Sequence, residues 1–180
     1  TYADQMTRSN YLLWKKFFAH TNMPHPDLIY LGQETLVIRL IIEHHLYRNT
    51  VMNHILLDDG YDALIAQYFD GVIGAFSKQA MSGTYLFWGI VPGTNDRVQL
   101  WKKGRVLESQ DGSFRVELTP EGLHQALEEK RLMPSMLLVF MMLSFHYGLK
   151  CLGGFSQINY LTFMKNAYIK MQVDRGNYKS

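Results

Sequence analysis

Polar and apolar positions recur at helical spacing over residues 33–48. The polar residues Thr35, Arg39 and Glu43 stand four positions apart, and aliphatic residues fill most of the positions between them. Strand alternation would place Arg39 and Ile41 on one face, so a helix fits the pattern better. We expect this helix to be packed on most sides, with Arg39 and Glu43 paired along its narrow polar stripe.

Shorter segments of the same half carry weaker patterns. Apolar residues at helical spacing predict helices over residues 11–19 and 61–69. Residues 28–31 are predicted to form a short strand, because the His-Pro pair before them favours extended backbone. The pattern over residues 51–57 fits either a helix or a strand.

The middle of the chain changes to β-branched and aromatic runs that alternate in the strand manner. Four such segments are predicted as consecutive antiparallel strands joined by turns: residues 84–91, 98–101, 105–108 and 113–118. Thr119 and Pro120 then have the residue types of an N-cap and a first helical position, which predicts a helix to about residue 130.

Residues 134–147 have no polar face between Met136 and Leu143, so we predict a helix in the centre of the core. A brief strand over residues 149–152 and a final helix over about 156–172 are expected next. This order predicts an α+β fold, in which an antiparallel sheet of about four strands in the middle of the chain is packed by N-terminal and C-terminal helices.

Composition favours one folded domain. A chain of 180 residues, 47% hydrophobic and 19% charged, fits a single α+β domain over residues 1–180 and has no bias towards disorder. Because the first residue is Thr1, a processed chain or a part of a longer one stays open as an alternative.

The net charge of +2 gives no strong field towards nucleic acid or anionic lipid, so we expect neither nucleic-acid nor membrane partners. The most apolar stretch, residues 135–145, is shorter than the roughly 20 residues that cross a bilayer. A single cysteine excludes an internal disulfide, and residues 1–10 lack the apolar core of a secretory signal. The expected location is therefore the cytoplasm.

Three basic residues, Lys102, Lys103 and Arg105, cluster beside Trp101. Basic and aromatic residues on a sheet bind single-stranded nucleic acid in some proteins. Three charges at the end of a hairpin fit a solvated strand edge better, which is the interpretation we favour.

The main candidate site is the segment from Cys151 to Gln157. A predicted strand passes through Gly153 and Gly154 into a helix, and such a turn leaves backbone amides free to bind phosphate, carboxylate or an oxyanion. Ser156 and Gln157 would orient a polar group of the ligand. The segment lacks the glycine patterns of the phosphate-binding loop and of the dinucleotide fingerprint, so a purely structural turn is the alternative.

Three further side chains are candidates. Cys151 and His146 would act as nucleophile and base if the fold brings them together, because thiolate chemistry uses a nearby imidazole. The alternatives are an inert core thiol and a structural histidine. Trp88 would line an apolar part of the binding site. The seven histidines show none of the common zinc-ligand spacings, so no metal is expected, and no cofactor is identified.

These features favour an intracellular enzyme that acts on a small molecule, with group transfer as the expected reaction and the substrate beside the Gly153-Gly154 turn. The order of strand, paired glycines and helix resembles the pyrophosphate loops of acetyltransferase-like folds, although their full motif is absent. The alternative is a non-catalytic interaction subunit that presents aromatic strands and apolar helices to a protein partner or to a second copy of itself.

Overall fold

The computed structural model describes residues 2–21, 27–94, 96–151 and 154–177 of the chain, and its contacts divide the chain into two units, Thr1–Gly32 and Gln33–Ser180. The N-terminal unit consists of helix α1 (Tyr2–Phe18) and, at residues 27–32, backbone without regular secondary structure. The strand predicted over residues 28–31 is therefore wrong. A strand needs a neighbour for its backbone hydrogen bonds, and the described part of this unit contains none.

The C-terminal unit begins with helical segments joined by short turns. In chain order these are α2, a π-helical turn that continues it, α3 and α4: Gln33–Leu40, Ile41–His45, Val51–Leu57 and Asp59–Phe69. Thr50 starts α3, because its hydroxyl oxygen accepts the Asn53 backbone N–H at 3.1 Å. The ambiguous segment 51–57 is thus a helix, and the predicted pair of Arg39 and Glu43 is present on the exposed face.

Six strands of the described chain form two antiparallel sheets of three strands each. Strands β1 to β6 are Phe87–Ile90, Arg97–Gln99, Trp101–Lys103, Val106–Glu108, Arg115–Glu117 and Leu132–Pro134. The order is β2-β1-β6 in the first sheet and β3-β4-β5 in the second. In the first sheet, Trp88 pairs with Gln99 on one side and with Met133 on the other. The predicted α+β fold is confirmed.

Two sheets replace the expected sheet of about four strands. The run over residues 98–101 is interrupted at Leu100, whose backbone N–H donates to the Thr84 hydroxyl oxygen at 2.9 Å and not to a neighbouring strand. The chain passes from the first sheet to the second at this residue. Strand β6 has no counterpart in the sequence prediction, because its three residues are too few to show alternation.

The remaining helices are α5, α6, a π-helical turn that continues α6, and α7: Pro120–Glu128, Met136–Phe140, Met141–His146 and Phe155–Asp174. Thr119 caps α5 as predicted, its side-chain oxygen accepting the Gly122 N–H at 3.0 Å. Ser135 caps α6 in the same way, accepting the Leu138 N–H at 3.2 Å.

The helix predicted over residues 134–147 lies in the core, as expected. Leu138, Met141 and Met142 have no exposed surface, and Phe145 is partly buried against the same core. The one difference at its start is that Pro134 belongs to strand β6. Side chains from α2, α3, α4 and α7 complete the core around this helix.

The strand predicted over residues 149–152 is wrong for its described part, because residues 149–151 have no regular structure. Gly148 has a φ of 72°, and the Leu149 N–H donates to the Leu143 carbonyl oxygen at 2.8 Å. This left-handed turn closes the end of the preceding helix and uses the backbone groups that a strand would need. Leu152 lies outside the described residues.

Candidate functional site

A cavity of about 360 Å³ lies where the first sheet meets the helices, and we call it the Trp88 pocket. Its lining comes from β1, β2, β6, the first turn of α2, α6 and the first turns of α7. The apolar lining residues are Met133, Pro134, Met136, Val139 and Phe140, and the remaining ones are Trp88, Gln33, Glu34, Arg97, Gln157 and Tyr160. The pocket thus combines an apolar wall with aromatic, amide and charged groups.

Arg97 is held beside Trp88 by the register of the first sheet. Strand β2 runs antiparallel to β1, and the Arg97 guanidinium carbon lies 5.3 Å from the centroid of the Trp88 ring. This cation–π contact orients the guanidinium without neutralising it. No carboxylate of the described residues forms an ion pair with Arg97.

Glu34 supplies a charge of the opposite sign. It stands in the first turn of α2, where the positive end of the helix dipole favours a carboxylate. Among the described residues, no cation lies within ion-pair distance of Glu34. Arg97 lines the same pocket but is also beyond that distance. The Trp88 pocket therefore offers one cation and one anion that do not neutralise each other.

Two of the predicted ligand-binding residues, Trp88 and Gln157, come together in this pocket. Gly154 is the N-cap of α7 and its carbonyl oxygen accepts the Gln157 N–H at 2.9 Å, while Ser156 is exposed and does not line the pocket. Gly153 lies outside the described residues.

The predicted catalytic pair, His146 and Cys151, is not joined by any contact of the described residues. The Cys151 sulfur lies 2.9 Å from the Ser144 hydroxyl oxygen, in a separate cavity of about 410 Å³ to which Lys150 and Lys165 also contribute. The His146 ring instead packs on aromatic neighbours. Nucleophile and base chemistry by this pair stays a prediction from the sequence.

A histidine cluster that sequence reasoning missed surrounds His45, which is only 3% exposed. Its two ring nitrogens hydrogen-bond the Thr50 hydroxyl at 3.0 Å and the Tyr147 hydroxyl at 2.9 Å. The His146 ring packs edge-on at a centroid distance of 5.3 Å. His45 and His146 each end a π-helical turn, an element found disproportionately at functional sites.

The surroundings of the cluster favour the neutral form of the His45 and His146 rings. Burial, followed by electrostatic repulsion from His146, His44 and Arg48, lowers the pKa of His45 to about 4. Burial also lowers the pKa of His146. A neutral imidazole has one donor and one acceptor nitrogen, and two hydroxyl partners satisfy both. The cluster joins the ends of two core helices and opens into none of the cavities described above.

The basic cluster near Trp101 is largely neutralised by acidic neighbours. The Lys102 side chain is 5% exposed, and its amine forms ion pairs with Asp59 at 3.1 Å and with Asp62. The Lys103 amine pairs with Glu108 at 3.0 Å. Two of the three cations in the cluster are therefore engaged within the protein.

A larger groove, of about 790 Å³, belongs to the N-terminal unit. Aromatic and aliphatic residues including Trp14, Phe17, Leu28 and Tyr30 line most of it, and Lys16 is the only charged residue among the described ones that line it. Because the described part of its lining has so few polar groups, this groove offers little to orient a ligand, and the smaller Trp88 pocket is the better candidate site.

The described residues contain no group of three or more His, Cys, Asp or Glu side chains that would hold a metal ion. None of the helices in the described ranges is both long enough and apolar enough to span a membrane. Comparison with protein-family models, with curated proteins and with solved structures gave no significant match.

Proposed function

We propose that the C-terminal unit binds a small organic molecule in the Trp88 pocket. The observation that supports this most directly is the convergence of Trp88, Gln157, Arg97 and Glu34 on one cavity of about 360 Å³. This volume lies within the range of about 300–1,000 Å³ that is common for small-molecule sites, although the polar share of the lining is larger than in most of them. Burial against the apolar wall would supply affinity, and the polar groups would supply specificity.

Reversible binding suits this lining better than group transfer does. The pocket is lined by no serine, cysteine or histidine of the described chain, so it lacks the usual nucleophiles and the commonest general base. Group transfer, the reaction expected from the sequence, would have to use Glu34 as a base or Tyr160 as an acid. We therefore propose a binding domain first and an enzyme of this kind second.

A fragment screen by protein-observed NMR tests the proposal. We expect hits that shift the resonances of residues lining the Trp88 pocket and that bind at least about tenfold more weakly to Trp88→Ala, the loss of a buried aromatic contact. The matched control is Trp101→Ala, which removes a tryptophan from the second sheet outside the pocket. Hits that bind Trp88→Ala as well as the wild type would contradict the proposal.

A second candidate function, self-association, is favoured by the outer face of α7. Phe155 is 92% exposed, Ile158 62%, Ile169 48% and Val173 45%, and all four lie on one stripe of the helix. The four residues form the two apolar ends of the stripe, which are separated by the exposed polar residues Thr162 and Lys165. A second copy packed antiparallel across a two-fold axis would place Phe155 beside Val173 and Ile158 beside Ile169, which is the self-complementarity that an isologous interface needs.

Light scattering on the purified chain tests this second candidate. We expect a dimer that Ile158→Glu converts to a monomer, because a carboxylate would be buried in an apolar interface. The control is Ile73→Glu, at a residue that is 67% exposed and is not part of the α7 stripe. A wild-type monomer at the highest soluble concentration would exclude self-association.

A further inference from the structure

The Trp88 pocket holds two opposite charges that face one cavity without pairing. Glu34 comes from the first turn of α2 and Arg97 from strand β2, and the two side chains are not within the 4.0 Å limit of an ion pair. A ligand with a single charge would be attracted by one of these groups and repelled by the other. A ligand that carries both charges would be attracted by both.

The Arg97 and Glu34 side chains differ in the hydrogen-bonding geometry of the charged group that each one recognises. A guanidinium presents several N–H donors in a plane and binds carboxylates through two parallel hydrogen bonds. The Arg97 guanidinium carbon lies over the Trp88 ring, and its N–H groups donate no hydrogen bond to any described residue, so they can make such a bond to a ligand. A carboxylate such as Glu34 accepts hydrogen bonds only, and an ammonium group carries three donors. A ligand carboxylate at Arg97 and a ligand ammonium at Glu34 would therefore satisfy the hydrogen-bonding groups of both side chains.

The remaining lining residues determine which uncharged groups of a ligand fit in the pocket. Met133, Met136 and Phe140 contribute flexible thioethers and an aromatic ring, which adapt to apolar groups of different shape. Tyr160 packs on Phe140 with a centroid distance of 6.0 Å and closes that side of the wall. A cavity of about 360 Å³ is near the lower end of the usual range, so it suits one small molecule and not a peptide.

We propose that the Trp88 pocket binds a free α-amino acid with an apolar side chain. The carboxylate binds Arg97, the ammonium binds Glu34, and the side chain packs on Met133, Met136 and Phe140. The amides of Gln33 and Gln157 add neutral hydrogen-bonding groups at the same cavity. This inference rests on the proposed function of the pocket as a small-molecule site and adds the class of ligand.

Isothermal titration with three probes tests the charge requirement. L-phenylalanine carries both charges, 3-phenylpropanoate lacks the ammonium, and 2-phenylethylamine lacks the carboxylate. We expect the wild-type protein to bind L-phenylalanine about two- to fivefold more tightly than either single-charge probe, since Glu34 and Arg97 are exposed and an ion pair at an exposed site contributes at most about that factor.

Two variants assign each charge to its partner. Glu34→Gln should remove the preference for L-phenylalanine over 3-phenylpropanoate, and Arg97→Gln should remove the preference over 2-phenylethylamine. Glu121→Gln is the matched control for the first variant, because Glu121 is an exposed glutamate in the first turn of α5. Arg115→Gln, at an exposed arginine of strand β5, is the control for the second. Thermal unfolding of all four variants identifies any that fail to fold, and the preference of the wild type among the three probes then tests the charge requirement by itself.

The outcomes separate this inference from the proposed function. If compounds from the fragment screen bind in a Trp88-dependent way but L-phenylalanine, L-leucine and L-methionine do not, the ligand class is wrong and the pocket is still a binding site. Equal affinity of the wild type for L-phenylalanine and for either single-charge probe also overturns the ligand class. If neither fragments nor amino acids bind, both proposals are wrong.

Discussion

His45 makes the stability of the C-terminal unit depend on pH. The ring is 3% exposed, and burial together with electrostatic repulsion from His146, His44 and Arg48 lowers its pKa from 6.5 to about 4. Between these two pH values the unfolded chain binds a proton at this residue that the folded chain does not. Because the unfolded state then takes up more protons, the free energy of unfolding is highest above about pH 6.5 and falls as the pH falls towards 4.

The size of the effect follows from the difference between the two pKa values. Each unit of difference corresponds to about 1.4 kcal/mol, and most of the difference is expressed by pH 5. We therefore expect His45 to account for a loss of about 2 kcal/mol in the free energy of unfolding between about pH 7.5 and pH 5. The lowered pKa of His146 acts in the same direction, so the wild-type protein should lose more than this.

Urea unfolding over this pH range measures the loss, and His45→Gln isolates the contribution of His45. Glutamine does not titrate, so the variant should show a pH dependence that is flatter by about 2 kcal/mol, whatever its stability at pH 7.5. The control is His124→Gln, since His124 lies at the surface beside Tyr47. A His45→Gln variant that loses as much stability as the wild type between the two pH values would refute the burial argument.

Three further predictions concern the core, a helix cap and metals. Leu138→Ala should lower the free energy of unfolding by about 2–5 kcal/mol in urea, because the side chain has no exposed surface, and Met136→Ala, 45% exposed, should lower it less. Thr119→Ala should cost about 1 kcal/mol by removing the bond to the Gly122 N–H, and Thr119→Ser should restore most of it. Elemental analysis of protein purified without affinity-tag metal should find no stoichiometric zinc or iron, since the described residues form no ligand cluster.

The sequence predicted α5, α6 and α7 well because their information is local, whereas α1 begins nine residues before the predicted start at residue 11. The apolar residues of 134–147 and the Thr119-Pro120 start of α5 determine burial and boundaries with little help from the rest of the chain. Strands depend on partners that the pattern does not identify. Residues 28–31 and 149–151 include apolar side chains, but neither segment pairs with a strand of the described chain. The three residues of β6 become a strand only because β1 lies beside them.

The candidate site shows the same division between local and distant information. Trp88 and Gln157 were identified by residue type, and the structure places them at one cavity. The charged residues of the Trp88 pocket are Glu34 and Arg97. They line the same cavity because α2 packs beside the first sheet, which the sequence pattern does not show. His45 and Tyr147 are 102 residues apart in sequence, and the π-helical turns that end at His45 and His146 follow aliphatic runs and have no local signal of their own.

Gly154→Ala distinguishes the Trp88 pocket from the amide site predicted at the start of α7. Gly154 has a φ of −68° and a ψ of 171°, a conformation open to any residue, and a Cβ there would meet no atom within 4 Å. Alanine restricts the unfolded chain, which stabilises the folded state by about 0.4–1 kcal/mol, but it is a poorer N-cap than glycine. The free energy of unfolding should therefore change by less than about 1 kcal/mol.

A ligand held by the backbone amides after Gly154 would be obstructed by the new methyl group. A ligand in the Trp88 pocket, which Gly154 does not line, would bind with unchanged affinity. Titration of L-phenylalanine, or of a fragment that binds the wild type, should therefore give the same dissociation constant for this variant. A weakening of about tenfold or more in a variant of normal stability would move the ligand to the helix start and contradict the assignment to the Trp88 pocket.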